Sequence, residues 1–362
     1  MTGAAACLAG FDGITVVIHG SSGCYYYPTT LLHAPLEGTF LMESEVIFGS
    51  EDRLREVIDG LSGKGNRIAV VNTCVPAVLG EDIRSMLASC DVTIVDSPGF
   101  AGDVEAGYAK ALAALSPLVS EESPGINIDG TCIFDPFFRG NVQEIRRLLH
   151  LASVPVGTVF CLDRIENLRD ASPFTVGTNM DFASGVGKFL GGNLGLDEIP
   201  ATFGNIGRVC ETADIDPVIR ECEREEERIV QTCEKFLRRF DPPRVAIFGG
   251  LAYALFVEKT LKTYLDADIA CIGTRNDPKE SPGTTWVPGM NKVKALIDQN
   301  KPDLVIGSSF EHMIDPAPGF IGLVPPLRGR VRLAPRTIAG VTGTLSFMED
   351  VLNECMNRKT PP

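Results

Sequence analysis

Short apolar segments that alternate with helix-like segments constrain the fold of this chain more than any other feature. Such segments, rich in β-branched residues and followed by Gly, Asn, Asp or Ser, are typical of buried strands, and their alternation with amphipathic helices predicts parallel sheets in an α/β fold. Eight of them recur along the sequence: "GITVVIHG", "RIAVVNTC", "DVTIVDSPGF", "GINIDGTCIF", "VGTVFCL", "RVAIFGG", "ADIACIG" and "PDLVIGSS".

Two breaks in the pattern divide the chain. The stretch "SPLVSEESPG" at 116–125 separates two groups of strands, and a long helical segment from Asp216 to Phe240 is followed by "DPPR". We therefore expect three Rossmann-like α/β units, at 1–120, 121–240 and 241–362, with a C-terminal helix packing back on the rest.

Composition excludes several classes of protein. The chain has 362 residues, 44% of them hydrophobic, so each unit can bury a core. No signal-like segment and no run of about 18 apolar residues occurs, which predicts a cytoplasmic protein without a membrane partner. The net charge of −14 and the scattered Lys and Arg residues argue against nucleic-acid binding.

Eleven cysteines call for an explanation. Their number is odd and their spacing irregular, which argues for reduced thiols rather than a disulfide framework. Most are expected in the core, because free cysteine is among the most buried residue types. Cys222 and Cys233, for example, lie on nearly the same face of the long helical segment.

Three loops in the first unit carry distinctive residues. They are "HGSSGC" (19–24), "NTCVPAVLGEDI" (72–83) and "DSPGFAGDVEAGY" (96–108), and each follows a predicted strand. Because ligands of open α/β sheets bind beyond the carboxyl ends of the strands, we expect these loops to converge at one edge.

Cys24 and Cys74 are the candidate ligands at that edge. The sequence has no G-x-x-x-x-G-K-[ST] loop, and "GVGKFLGG" does not follow a strand as a dinucleotide fingerprint must, so neither ATP nor NAD is an expected ligand. Thiolates beside glycine amides suit an iron–sulfur centre. From the residues alone, core packing or a lone reactive thiol stays open. His19 fits a hydrogen-bonded loop histidine, and Tyr25–Tyr27 can line either a pocket or a subunit interface.

Several segments resemble the nitrogenase component 1 family in the family's order. "VVIHGSSGC", "FLMESEVIFGSEDRLREVI", "NTCVPAVLGEDI" and "VDSPGFAGDVEAGY" are similar to its cluster-binding region. "RVAIFGGLAYALFVEKTL", "KPDLVIGSSFE" and "RTIAGVTGTLSFMEDVLN" resemble its last domain and closing helix. The resemblance spans nearly the whole chain.

This resemblance implies a site for an iron–sulfur cluster, of the 4Fe-4S type. It makes Cys24 and Cys74 ligands and places the family's upstream cysteine just before Met1. Three explanations are open: Cys7 replaces that cysteine, the start of the sequence is misplaced, or two chains supply two cysteines each. Cys132 is a weaker candidate for a ligand. The residues that shape the neighbouring loops are Gly20, Gly23, Pro76, Gly99, Phe100 and Gly102.

The resemblance also implies a function. The dinitrogen-reducing subunit binds its cofactor through a cysteine and a histidine that "NMDFASGVGKFLGG" and "LVPPLRGRVRLAP" do not offer, and the chain is short. Both points favour a compact reductase of a tetrapyrrole or related small molecule, similar to the nickel-sirohydrochlorin a,c-diamide reductive cyclase or dark protochlorophyllide reductase. An ATP-dependent iron protein would supply electrons, and the assembly would be a homodimer or a heterodimer with a related subunit. The alternatives are a non-catalytic scaffold for metal-cofactor assembly and a binding protein that has lost its cluster.

Overall fold

The computed structural model describes residues 1–275, 281–329 and 331–359, and it confirms an α/β fold with three parallel sheets. Positions 276–280, 330 and 360–362 of the third predicted unit lie outside the described residues. No helix of the described ranges combines the length and the apolar character needed to cross a bilayer.

The first sheet has the strand order β2-β1-β3-β4, with every neighbouring pair parallel. Its strands are β1 (Ile14–His19), β2 (Glu37–Gly38), β3 (Arg67–Asn72) and β4 (Val92–Asp96). The helices of this region are α1 (Thr2–Gly10), α2 (Ser22–Leu32), α3 (Glu43–Phe48), α4 (Glu51–Leu61), α5 (Cys74–Leu79), α6 (Ile83–Met86) and α7 (Val104–Leu115).

Both faces of the first sheet are covered, which explains why its strands are continuously apolar. Val16 and Ile18 point into one apolar cluster, and Val17 points into another. The second cluster includes Leu54 and Ile58 of α4, four residues apart on one face of that helix. Alternating side chains of one strand therefore anchor helices on both sides.

The second sheet has the order β6-β5-β7-β8. Its strands are β5 (Ile126–Asp129), β6 (Val156–Val159), β7 (Phe174–Gly177) and β8 (Lys188–Gly191). The helices here are α8 (Phe138–Leu151), α9 (Glu198–Val209) and α10 (Asp216–Leu237), with short 3-10 turns at Ile165–Arg169 and Met180–Phe182. Cys222 and Cys233 are buried along α10, as predicted.

The third sheet has the order β11-β10-β9-β12-β13, again with parallel neighbours. Its strands are β9 (Arg244–Gly249), β10 (Asp268–Thr274), β11 (Thr284–Trp286), β12 (Leu304–Gly307) and β13 (Gly319–Gly322). Its helices are α11 (Leu251–Leu265), α12 (Met290–Asn300), α13 (Ser309–Ile314) and the C-terminal α14 (Gly340–Lys359).

The chain packs as two compact units. Unit 1 contains 1–134, 157–175 and 182–189, and unit 2 contains 135–156, 176–181 and 190–362. The three-part division at 120 and 240 stays a prediction. The candidate residues at the carboxyl edge of the first sheet all belong to unit 1.

Candidate metal centre

Two cysteines follow neighbouring strands at the carboxyl edge of the first sheet. Cys24 is the third residue of α2, just after β1, and Cys74 is the first residue of α5, two residues past β3. The strand ends are aligned, since His19 and Asn72 are register partners. Both cysteines are partly exposed. We call this edge, with its two accessible thiols, the cysteine edge.

Gly20 allows the two cysteine-bearing segments to approach each other. A Cβ at this position would lie 1.9 Å from Thr73 Oγ1 and 3.8 Å from Cys24 Cβ. Thr73 directly precedes Cys74, and its hydroxyl donates to the His19 carbonyl at 2.7 Å. Any side chain at position 20 would therefore displace the residue that holds Cys74 in place.

A backbone N–H points at the sulfur of Cys74. The Gly99 amide donates to Cys74 Sγ at 3.1 Å, and a Cβ on Gly99 would lie 3.3 Å from the same sulfur. The loop is held by the Ser97 amide, which donates to the Asn72 carbonyl at 3.2 Å. Hydrogen bonds to sulfur ligands are among the features that tune iron–sulfur centres.

The other predicted loop residues differ in their burial and backbone conformation. Pro76 is buried within α5, and Gly102 has a φ of +147° just before α7. Phe100 is exposed. Gly23 has open space around its Cα, with its nearest neighbour, Ser21 Oγ, 4.0 Å from an added Cβ.

Cys7 lies in the interior of unit 1, unlike the two edge cysteines. Its side chain is fully buried, and its Sγ lies 3.4 Å from Cys161 Sγ. The Cys161 sulfur in turn lies 3.0 Å from the Tyr108 hydroxyl. Burial raises the pKa of the Cys161 thiol well above its ordinary value. Cys132 is fully buried in the same apolar cluster. The structure thus places neither Cys7 nor Cys132 among the exposed thiols of the cysteine edge.

Cys24 and Cys74 are the two partly exposed thiols at the cysteine edge of one chain. Within the described ranges, no three His, Cys, Asp or Glu side chains come together as a metal site. Met1 also lies at the cysteine edge, because its amino nitrogen is 2.9 Å from Ser97 Oγ, directly after β4.

Exposed apolar side chains are concentrated on α2, α3, α5 and the loops beside them. Their solvent-exposed fractions range from 40% to 87%, whereas large apolar residues are normally buried. We call this set the rim surface; it comprises Tyr26, Tyr27, Phe40, Met42, Val46, Ile47, Phe48, Val78, Leu79 and Phe100. Contiguous exposed apolar patches are typical of interaction sites.

A buried polar group lies beneath the cysteine edge, and only one of its members was predicted. His19 is fully buried, with Nδ1 3.2 Å from Thr39 Oγ1 and Nε2 3.1 Å from Ser50 Oγ. Ser50 precedes α4 and fits a helix cap by sequence, but its side chain caps no amide. It donates instead to Glu81 at 2.5 Å. No sequence spacing links these four residues, because they come from four separate segments.

Comparison with known proteins identifies the family. The model of the nitrogenase component 1 type oxidoreductases matches residues 1–356. The chain belongs to this family. The curated relatives of this family member include a nitrogenase iron-molybdenum cofactor biosynthesis protein NifE of Clostridium pasteurianum, 23% identical over 92% of this chain and 82% of that protein. A nitrogenase molybdenum-iron protein beta chain of Bradyrhizobium diazoefficiens is 29% identical over 42% of this chain.

Coverage of the relatives is uneven. The chain spans about a third (35%) of the length of that beta chain, and 29% of a NifN cofactor biosynthesis protein of Mesorhizobium japonicum that is 33% identical where it matches. Among solved structures, nitrogenase Cp1 at pH 6.5 superimposes with a TM-score of 0.83, at 16% identity, over 99% of this chain and 92% of that one. The described residues therefore have the fold of that nitrogenase protein.

Proposed function

We propose that this protein is the electron-accepting component of a two-component reductase, with an iron–sulfur cluster held by Cys24 and Cys74. The observation that carries the proposal is the pair of partly exposed thiols at the aligned ends of adjacent parallel strands. Thiolates are the ligands of iron–sulfur clusters, and the Gly99 amide supplies the hydrogen bond to sulfur that such sites use. The residues of the cysteine edge therefore fit the group.

A cluster bound there would accept and release single electrons. The chain's own contribution is to fix the thiols. Gly20 lets β1 and β3 end side by side, and Thr73 anchors the segment that carries Cys74. Gly99 brings backbone to the sulfur where a side chain would stand too close.

We infer that two chains share the cluster. A 4Fe-4S cluster takes four thiolate ligands, and the cysteine edge of one chain supplies two. A two-fold axis at this edge doubles them, and a related subunit would serve in the same way. The rim surface supports this assembly, because aromatic side chains such as Tyr26 and Tyr27 are enriched at interfaces.

The electron donor is proposed to be an ATP-dependent iron protein. The sequence contains no phosphate-cradling loop of its own, so ATP hydrolysis would take place on the partner. The substrate is proposed to be a tetrapyrrole or a related small molecule rather than dinitrogen, in a cytoplasmic enzyme. The support is the sequence, which lacks the cysteine and histidine of the dinitrogen-reducing subunit in the two corresponding segments.

A second candidate function is a scaffold on which a metal cofactor is assembled. It is supported by the length of the match to the NifE cofactor biosynthesis protein, which extends over 92% of this chain. Addition of an iron protein, ATP and a tetrapyrrole substrate separates the two candidates. A reductase turns the substrate over repeatedly, whereas a scaffold releases its metal centre once to an acceptor protein.

Iron and sulfide analysis after anaerobic purification tests the proposed cluster site, with EPR spectra of the same samples. We expect an oxygen-sensitive cluster in the wild type and its loss in Cys24→Ala and in Cys74→Ala. Cys7→Ala is the matched control, because Cys7 is buried against Cys161, and it should retain iron and sulfide. A full cluster in the double variant of Cys24 and Cys74 would refute the assignment.

A further inference from the structure

A line of hydrogen bonds runs through unit 1 beneath the cysteine edge. It joins Glu81 to Ser50, Ser50 to His19, and His19 to Thr39. His19, Ser50 and Thr39 are fully buried, and the Glu81 side chain is 9% exposed. We call these four residues the His19 line. It connects solvent at Glu81 with the interior at Thr39.

The contacts fix the direction of each bond. The single proton of the Ser50 hydroxyl goes to Glu81 Oε2, 2.5 Å away, so Ser50 Oγ must accept from the ring. His19 therefore carries its proton on Nε2, and Nδ1 is free to accept from the Thr39 hydroxyl. Neutral His19 in this tautomer satisfies every group of the line.

An added proton on the ring fits only at Nδ1, because Nε2 already carries its proton. On Nδ1 it would turn the ring from an acceptor into a donor toward Thr39 Oγ1. The Thr39 hydroxyl would then turn to the Gly20 carbonyl, which lies 3.4 Å away. Nothing else in the line has to move, because the bonds from Nε2 to Ser50 and from Ser50 to Glu81 keep their direction.

The line is attached to both cysteine-bearing segments. Thr39 Oγ1 accepts from the Gly20 amide at 3.0 Å, in the loop that leads to Cys24. The His19 carbonyl accepts from the amide of Thr73, the residue before Cys74, at 3.1 Å. The line is therefore hydrogen-bonded to the segment before each of the two cysteines.

The surroundings of the His19 ring have opposite effects on its protonation. The Glu81 carboxylate, 3.6 Å from Nε2, favours the imidazolium, and burial favours the neutral ring. Burial is the larger effect and lowers the pKa of His19. Arg53 of α4 binds the Thr39 carbonyl at 2.9 Å and adds a positive charge on that side. A further negative charge nearby would favour the imidazolium.

We propose that His19 takes up one proton when the cluster held at Cys24 and Cys74 gains one electron, and releases it on reoxidation. This inference rests on the proposed function. The electron comes from an external one-electron donor, the reduced iron protein or dithionite in vitro, and the proton comes from water and is held on Nδ1. The positive ring then balances the added negative charge of the cluster.

The midpoint potential of the cluster, measured by anaerobic EPR titration between pH 6 and 9, tests the inference. The reduced form binds the extra proton, so the wild-type potential should fall by about 59 mV for each tenfold drop in proton concentration. His19→Gln keeps a hydrogen-bonding side chain but cannot titrate, and its potential should not depend on pH. His33→Asn is the matched control in the same unit: His33 is exposed, and its variant should keep the wild-type slope.

Iron and sulfide contents of the same samples separate the two proposals. A wild type with a cluster and a pH-independent potential, or a His19→Gln variant that keeps the slope, overturns the proton uptake. A wild type without any cluster refutes the proposed function instead. Nitrogen NMR of the metal-free protein then tests the hydrogen-bond directions in the His19 line. We expect the Nε2–H tautomer of His19, and an Nδ1–H tautomer would contradict these directions.

Discussion

Substitution of Gly20 by alanine should damage the cysteine edge, because Gly20 has a φ of +158° and the new side chain would collide with Thr73. The new Cβ would lie 1.9 Å from Thr73 Oγ1, where ordinary contacts begin at 3.4 Å. The Thr73 hydroxyl must therefore retreat by about 1.5 Å. That movement breaks its 2.7 Å hydrogen bond to the His19 carbonyl and shifts the residue next to Cys74.

The cost of this change follows from two contributions. Overpacking a well-filled interior costs about 1 to 3 kcal/mol. Loss of one buried hydrogen bond costs about 1 kcal/mol more. We therefore expect Gly20→Ala to lower the free energy of unfolding by about 2 to 4 kcal/mol and to reduce the iron content of the anaerobically purified protein.

Urea denaturation of the metal-free protein measures this cost. Gly23→Ala is the matched control: it adds the same methyl group into open space within α2, where alanine favours the helix by about 0.5 to 1 kcal/mol. In a Thr73→Ala background, which removes Oγ1, the cost of Gly20→Ala should fall by about 1 kcal/mol or more. A Gly20→Ala variant as stable as the wild type, or a cost that Thr73→Ala leaves unchanged, would refute the reasoning.

Three further predictions concern other parts of the chain. In unit 2, Tyr253→Phe removes the hydroxyl that donates to buried Asp135 at 2.5 Å, and thermal unfolding should show a loss of about 1 to 3 kcal/mol. Phe48→Ser on the rim surface should weaken association in analytical ultracentrifugation without lowering stability, whereas Trp286→Ser, at a half-exposed position in the third sheet, should leave association unchanged. Burial lowers the pKa of His19, so its contribution to stability is fully present above the ordinary pKa of 6.5 and is lost as the pH falls below 6.5 through the lower pKa of the folded protein. Urea midpoints of the metal-free wild type should therefore drop below pH 6.5 more than those of His19→Gln.

The parts of the fold that depend on local pattern were predictable from the sequence. A strand such as "ITVVIH" is apolar at every position because both faces of its sheet are covered, and this is also what identifies it as a parallel strand. The placement of Cys24 and Cys74 at one edge followed from the rule that parallel strands share their carboxyl end. No contact had to be known in advance for either prediction.

The contacts that depend on chain folding in three dimensions were not predictable. Cys7 and Cys24 are both cysteines near glycines, yet one is buried against Cys161 and the other is accessible, and only the packing of α1 decides this. Ser50 fits a helix cap by sequence, but Glu81, thirty-one residues away, competes for its hydroxyl. The sequence around Ser50 does not indicate that Glu81 is its hydrogen-bond partner.

Native mass spectrometry under anaerobic conditions tests the central claim most directly. If two chains share one cluster through Cys24 and Cys74, the wild type should appear as a dimer with one cluster for two chains. Alanine at either cysteine should give chains without iron or sulfide, and Cys7→Ala should match the wild type. A monomer that carries a complete cluster, or loss of the cluster in Cys7→Ala, would contradict the account.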